Sequence, residues 1–165
     1  LQEDVAEKME IERRKINLIF HGVKERTDAT SDVDEPDLEM IKEVINQGLH
    51  MDASRHVESV VRIGKLIEGK TRPVRVKFNT QESRNNVLKR AKDLKDSNEF
   101  KRIYVSPDLT RKQQLIDKDL RDHVKQFRQD GEENVSIRGG KVVKNAGGRQ
   151  ESILYDPQAL TTPSS

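Results

Sequence analysis

The sequence predicts an α+β protein in which a four-stranded sheet and two helices are followed by a second, smaller domain. Three observations lead to this prediction. Short β-branched segments alternate with helical apolar patterns in the order βαββαβ. A capped amphipathic helix comes next, and a Gly-Gly pair then separates two further β-branched segments. Hydrophobic residues make up 32% of the chain and charged residues 36%, so we expect small cores beneath a heavily charged surface.

The chain begins with a charged segment, residues 1–14, in which Leu1, Val5 and Met9 recur every four residues. This spacing predicts a helix with a thin apolar stripe. A solvated lead-in and the end of an upstream coiled coil both fit this pattern. Establishing a coiled coil would take about three or four heptads.

The first domain is predicted to span residues 15–109. Its first helix begins at Pro36, and Thr80 caps the second. Four strands and two helices in this order close an antiparallel sheet with both helices on one face, the ferredoxin-like arrangement. The predicted elements are strands over 15–23, 57–65, 72–79 and 102–105, and helices over 36–49 and 81–96.

Alternation within the strands assigns their side chains to two faces of the sheet. One face packs against the helices, and the other is open to solvent or to a ligand. The predicted inward set is Leu18, Phe20, Val61, Val74, Val76, Phe78, Ile103 and Val105. The predicted outward set is Ile19, His21, Val60, Arg62, Arg75, Lys77 and Tyr104.

The second domain is predicted over residues 110–156. Thr110 and Gln113 form a capping-box pattern at the start of a long helix. Gly139-Gly140 lies between two β-branched segments and is typical of a two-residue hairpin turn. Residues 153–155 are expected to pair as a last short strand, and disorder is expected over 157–165.

The charge of the chain is strongly polarised although its net charge is only +2. Residues 62–103 carry thirteen Lys or Arg and five Asp or Glu, a net of +8. Residues 24–58 carry four Lys or Arg and ten Asp or Glu, a net of −6. A positive block on a folded sheet indicates a polyanionic partner, and nucleic acid is the first candidate.

Several functional classes lack a signal in the sequence. There is no Cys, and no apolar run approaches the ~18 residues of a membrane span. The four His residues lack metal-ligand spacing, and no phosphate loop or nucleophile motif is present. We therefore expect an intracellular protein without enzymatic activity, cofactor, metal or membrane partner.

An ordered set of segments resembles the first-open-reading-frame protein of LINE-type non-LTR retrotransposons. These segments are NLIFHGVKE (17–25), RIGK and RPVRVKF within 62–78, NVLKRAK (86–92) and IYVSPDLT (103–110), followed by a helix and VSIRGGKVV. The resemblance covers roughly residues 10–155. It implies an atypical RNA-recognition motif and a small C-terminal domain, with single-stranded nucleic acid bound between them.

The resemblance also implies partners and binding residues. The longer parent would self-associate, as a trimer, through an upstream coiled coil. It would act as a nucleic-acid chaperone in a cytoplasmic ribonucleoprotein, with the nucleus as a second location. Arg72, Lys89 and Lys92 fall at the family's binding arginines, with Lys118 or Arg121 as the counterpart on the third helix. Lysine lacks the planar fork of arginine, so phosphate contacts are favoured over base contacts.

We therefore predict binding of single-stranded RNA, and of single-stranded DNA as a second ligand, with little sequence preference. The alternative to nucleic-acid contact for the predicted cations is that they are solvated surface residues without a ligand. For Tyr104, the alternative to stacking on a base is packing under the third helix. A protein-interaction module that binds an acidic peptide is the rival function. The predicted contact residues are Arg62, Lys65, Lys70, Arg72, Arg75, Lys77, Lys89, Arg90, Lys92, Tyr104, Lys118, Arg121, Arg138 and Lys141.

Overall fold

The computed structural model describes residues 2–25, 35–148 and 151–160. These residues form an α+β structure with five α-helices and two antiparallel sheets. The chain divides into two compact units, Leu1–Asp108 and Leu109–Ser165. None of the helices in the described part of the chain combines the length and apolar character needed to cross a membrane.

The first unit is built around a sheet with the strand order β2-β3-β1-β4. Each pair of neighbouring strands is antiparallel. Strands β1, β2 and β3 are shorter than the segments that predict them, and β4 is as long as its predicted segment but begins two residues later. Their bounds are β1 Asn17–His21, β2 Val57–Arg62, β3 Val74–Phe78 and β4 Tyr104–Pro107.

The helices of this unit begin near their predicted starts, but two of them change pitch. The α-helical parts are α1 Gln2–Arg14, α2 Pro36–Glu43, α3 Ala53–His56 and α4 Gln81–Arg90. A π-helical turn, Val44–Gly48, extends α2, and a 3-10 segment, Ala91–Asp96, extends α4. The single turn α3 was not predicted, because four residues are too few to show an apolar period.

Gly48 allows the π-helical turn to approach the end of the α4 segment closely. A Cβ at this position would lie 2.7 Å from Leu94 Cδ2 and 3.0 Å from Phe100 Cδ2. The first distance is shorter than carbon–carbon contacts allow and the second is tight, so a larger residue would require the Leu94 and Phe100 side chains to shift.

One core lies between the sheet and the helices. It contains the predicted inward residues of β1 and β3, together with Ile41 and Ile45 from the α2 segment and Val87 and Leu94 from the α4 segment. Ile103 and Val105 pack against it and are partly buried. The inward assignment is thus correct for three of the four strands.

The assignment of β2 is wrong, because the strand contains a β-bulge between Val57 and Ser59. One extra residue reverses the faces of every residue that follows. Val60 consequently pairs with inward-facing Val76 and packs against the core. Val61 pairs with Arg75 on the outward face and is 57% exposed.

The second unit pairs helix α5, Arg111–Gln129, with a sheet of order β5-β6-β7. The capping box forms as predicted: Gln113 N donates to Thr110 Oγ1, and Thr110 N donates to Gln113 Oε1. The strands are β5 Val135–Arg138, β6 Lys141–Asn145 and β7 Glu151–Tyr155. The core of this unit consists of Leu120, Val124, Val135 and Val142, with Phe127, Leu154 and Tyr155 packed against them.

The two-residue turn between β5 and β6 is the one predicted. Gly139 and Gly140 both have positive φ angles, of 58° and 74°, as a tight hairpin of this kind requires. At the other end of the unit, Pro157–Leu160 form a 3-10 segment where disorder was expected. Asp156 stabilises this segment by accepting a hydrogen bond from Gln158 N. Residues 161–165 lie outside the described part of the chain.

Candidate nucleic-acid interface

The outward face of the first sheet is defined by residues that pair directly across strands, because such residues share a face. One row consists of Val61, Arg75, Ile19 and Ser106. The row beside it contains Lys77, paired with Ser59 and Asn17. His21 and Tyr104 pair at the other end. The outward face therefore combines two of the predicted cations with two aromatic rings.

Arg62 is not on this face, contrary to the sequence prediction. The bulge in β2 places it beside inward-facing Val74, and its side chain is only 5% exposed. Its guanidinium donates to the carbonyl oxygens of Val23 and Arg72, each at 2.7 Å. It also pairs with Asp37 at 3.0 Å. The guanidinium of Arg62 therefore holds chain segments of the first unit together. Arg62 is not part of the candidate interface.

Arg75 faces outward as predicted, but it does have a carboxylate partner. Its Nε donates to Asp108 Oδ2 at 3.0 Å, and the Asp108 side chain is 3% exposed. Asn17 Nδ2 donates to the same oxygen at 3.0 Å, and Arg14 lies 3.4 Å from the other. Asp108 follows the end of β4 and is therefore not a direct cross-strand partner of Arg75.

Lys77 and Arg72 also have acidic neighbours. Lys77 Nζ lies 3.6 Å from Glu58 Oε2, and both side chains are about half exposed. Arg72 Nε donates to Glu25 Oε1 at 2.6 Å. The Lys77–Glu58 distance is longer than those of the Arg72 and Arg75 pairs, and Lys77 is more exposed than either arginine. Lys77 is therefore more available to a ligand than Arg75 or Arg72.

The remaining predicted cations of the first unit are exposed, and the described residues provide no ion pair for them. They occupy two places. Two are in the loop between β2 and β3, and three are on the α4 segment, whose Val87 and Leu94 pack on the inward face of the sheet. The structure thus separates the helical cations from the outward face. These unpaired residues are Lys65, Lys70, Lys89, Arg90 and Lys92.

His21 and Tyr104 form a parallel stack on the outward face. Their ring centroids are 4.3 Å apart, and the ring planes differ by 6°. His21 Nε2 lies 3.0 Å from Ser106 Oγ, which orients the imidazole. Burial lowers the pKa of His21 from its ordinary value near 6.5, so the ring is neutral at neutral pH. Tyr104 is 62% exposed.

All four predicted cations of the second unit have carboxylate neighbours. Lys118 and Arg121 form pairs one turn away along α5, with Asp122 at 2.9 Å and Asp117 at 3.1 Å. Arg138 contacts Glu151 at 2.6 Å, and Lys141 lies 3.7 Å from Asp156.

The structure also presents cations that the residue-level prediction omitted. Lys101 and Arg102 are exposed directly before β4, and no ion pair to them occurs within residues 2–25, 35–148 and 151–160. Exposed Lys125 lines a groove of about 560 Å³ between α5 and β5, with Val124 and Ile137 as apolar walls. Lys101 and Arg102 belong to the segment 62–103 with a net charge of +8, and the charge of that segment is the sequence feature that could have identified them.

The described residues contain no group of three or more His, Asp or Glu side chains positioned to hold a metal ion. Comparison with protein-family models and with curated proteins finds no match to this chain. The retrotransposon resemblance therefore stays a prediction.

Proposed function

We propose that this chain binds single-stranded RNA, and single-stranded DNA as a second ligand, mainly through phosphates and with little base preference. The observation that carries the proposal is the set of five predicted cations of the first unit that are exposed and have no carboxylate partner among the described residues. When such cations neutralise phosphates, the counterions condensed on the nucleic acid are released, and this release dominates non-specific affinity. Cations that are already paired contribute less, so Arg72 and Arg75 have subordinate roles and buried Arg62 has none.

The finer fold assignment is part of the same proposal. The strand order β2-β3-β1-β4, with helices packed on one face, supports an atypical RNA-recognition motif of the ferredoxin-like type for the first unit. We further propose that the protein belongs to a retrotransposon ribonucleoprotein and acts there as a nucleic-acid chaperone. A nucleic-acid chaperone must let strands exchange while they remain bound to the protein. Weak contacts to phosphates suit this requirement.

Salt dependence tests the core of the proposal. If five phosphates on a single strand are neutralised, affinity should fall about 100-fold between ~50 and ~200 mM salt. An electrophoretic shift assay with RNA, single-stranded DNA and duplex at both ionic strengths measures this. The duplex is expected to bind less tightly than either single strand. A flat salt response, or preference for duplex, would contradict the proposal.

A matched pair of variants tests which cations take part. Lys89→Gln removes an unpaired charge, whereas Lys118→Gln removes one that Asp122 already offsets at 2.9 Å. Lys89→Gln should weaken binding to all sequences alike and reduce the slope of log K against log salt by about 0.7. Lys118→Gln should change that slope much less. Equal effects of the two variants would show that a carboxylate partner does not determine whether a cation contacts the nucleic acid.

A protein-interaction module remains the rival function, and one observation favours it. Val61, Leu66 and Ile67 are exposed apolar side chains in and after β2. Exposed apolar groups near cations fit an acidic peptide with apolar anchors. Competition between poly-uridine and an acidic peptide separates the two functions. Peptide binding without any RNA shift would favour the rival.

Self-association through the N-terminal helix is a separate proposal. Val5 and Met9 are 58% and 68% exposed on α1, so their apolar stripe is not covered within one chain. We propose that this stripe continues a coiled coil in a longer, trimeric parent, and that the particle is cytoplasmic with the nucleus as a second location. Sedimentation of an N-terminally extended protein tests the trimer, and a monomer would contradict it.

A further inference from the structure

We infer that the His21–Tyr104 pair is a stacking site for one unpaired nucleobase, with Tyr104 as the contact residue and His21 as a positioning residue. The inference rests on the proposed function and adds a base contact to its phosphate contacts. The site lies on β1 and β4, so it includes the edge strand β4 and leaves out the central strand β3.

The geometry leaves one face of the tyrosine ring available. His21 covers the other face, at a centroid distance of 4.3 Å with the planes nearly parallel. Because Tyr104 is still 62% exposed, its uncovered face and edge must be in contact with solvent. A base placed there would become the third layer of the stack. Each base has a π face, so such a site accepts purines and pyrimidines alike.

His21 prepares the tyrosine for this role. The two residues are direct partners across β1 and β4, and the contact between His21 and Ser106 fixes the imidazole. The stacked imidazole restricts the torsions of the Tyr104 ring before any ligand arrives. A ring that is already ordered loses less conformational entropy on binding, so more of the stacking energy contributes to affinity.

Two cations lie in the turn that leads towards the strand of Tyr104. Lys101 and Arg102 are both exposed and are separated from β4 by Ile103. Gly22 keeps this turn close to His21, because a Cβ on Gly22 would lie 2.4 Å from Arg102 O. Gly22 also has a φ of +84°, which favours glycine. The backbone of this turn therefore lies close to the strand that carries His21.

The test uses the full chain and a short single-stranded oligoribonucleotide in which one position at a time is made abasic. For the wild-type protein, one abasic position should lower affinity roughly 5- to 150-fold, the range measured for stacked bases. For Tyr104→Leu, the same abasic position should cost little, because the platform is already gone. Tyr104→Phe keeps the ring and should behave like the wild type. An abasic penalty that is equal in wild type and Tyr104→Leu would overturn the inference.

The positioning role of His21 has its own measurement. A 2-aminopurine at the sensitive position should lose fluorescence when it stacks on Tyr104. His21→Ala should reduce that loss, and His21→Phe should restore it, since a phenyl ring can also stack. Identical quenching in His21→Ala and wild type would remove His21 from the site. The salt slope of all these variants should match that of the wild type, because no phosphate contact has changed.

The two possible failures are distinguishable. If the intact oligonucleotide does not bind, the proposed function fails, and the stacking site fails with it. If it binds with the expected salt dependence but shows no Tyr104-dependent abasic penalty, only the stacking site is wrong.

Discussion

The two units each present a stacked His–Tyr pair, and the pairs differ in what holds the tyrosine hydroxyl. In the second unit, the rings of His123 and Tyr155 are 3.6 Å apart, and the Tyr155 hydroxyl donates to Asp119 Oδ2 at 2.6 Å. His123 Nδ1 lies 2.8 Å from the Asp119 carbonyl oxygen. In the first unit, no described residue accepts a hydrogen bond from the Tyr104 hydroxyl. The two units thus contain the same pair of stacked rings. The tyrosine hydroxyl is hydrogen-bonded to a carboxylate in the second unit (an engaged stack) and has no described acceptor in the first (an available stack).

The carboxylates that contact these two regions have different partners. Asp108 accepts a hydrogen bond from the guanidinium of Arg75. Asp119 binds the hydroxyl of Tyr155. In a chain with this many charges, the acids decide which cations and rings remain for a ligand. A count of charged and aromatic residues in the sequence therefore overestimates how many side chains are free to contact a ligand.

Removing the buried carboxylate should have the largest effect on stability. Asp108→Ala leaves Arg75 and Asn17 without their acceptor, and an unsatisfied buried donor such as the Asn17 amide costs about 1–3 kcal/mol. Urea denaturation measures the change. Glu58→Ala, which removes the exposed partner of Lys77, is the control and should cost under about 0.5 kcal/mol. Equal losses would mean that Asp108 does not anchor the first unit.

The two tyrosines should differ in their contribution to stability. Tyr155 packs against the core of the second unit and is hydrogen-bonded, so Tyr155→Leu should lower Tm by several degrees. Tyr104→Leu removes an exposed ring and should leave Tm nearly unchanged. Circular dichroism melts of both variants provide the comparison. A larger loss from Tyr104→Leu would refute the distinction between engaged and available stacks.

Alkaline titration should distinguish the tyrosines directly, because the chain contains only two and no tryptophan. The hydrogen bond to Asp119, followed by burial, raises the pKa of Tyr155 above its ordinary value near 10.0. Tyr104→Phe leaves Tyr155 as the sole phenol, whose absorbance midpoint should lie above that value. Asp119→Asn in this background should lower the midpoint. The stability linked to the raised pKa is complete below about pH 10 and is lost as pH rises. No movement on Asp119→Asn would contradict the assignment.

The smallest expected effect concerns His21 in mild acid. Burial lowers the pKa of His21, so the folded protein resists protonation more than the unfolded chain does. This contribution to stability is complete above the unfolded pKa near 6.5 and is lost as pH falls towards the lower folded pKa. Tm should therefore fall slightly more in the wild type than in His21→Phe when pH drops from about 7.5 to about 5.5. Parallel pH profiles would show that His21 is not desolvated.

Parts of the candidate site could be found from the sequence because they depend on composition and strand alternation. The outward positions of Arg75, Lys77 and Tyr104 follow from the period of two in β3 and β4. The ion pairs could not be found in this way. Asp108 lies 33 residues from Arg75 in sequence, and no local pattern connects them. The stack of His21 on Tyr104 likewise depends on the register between β1 and β4.

The sequence by itself determined the local structures whose causes act over a few residues: the Thr110–Gln113 capping box, the Gly139-Gly140 turn and the start of α2 at Pro36. Their hydrogen bonds and φ angles are set by neighbouring residues in the chain, so the pattern alone predicts them. Only the tertiary structure decided which predicted cations are available. A one-residue bulge turned Arg62 inward, and a distant carboxylate engaged Arg75. Such contacts depend on which strands meet and in what register, and that outcome is a property of the whole packed unit.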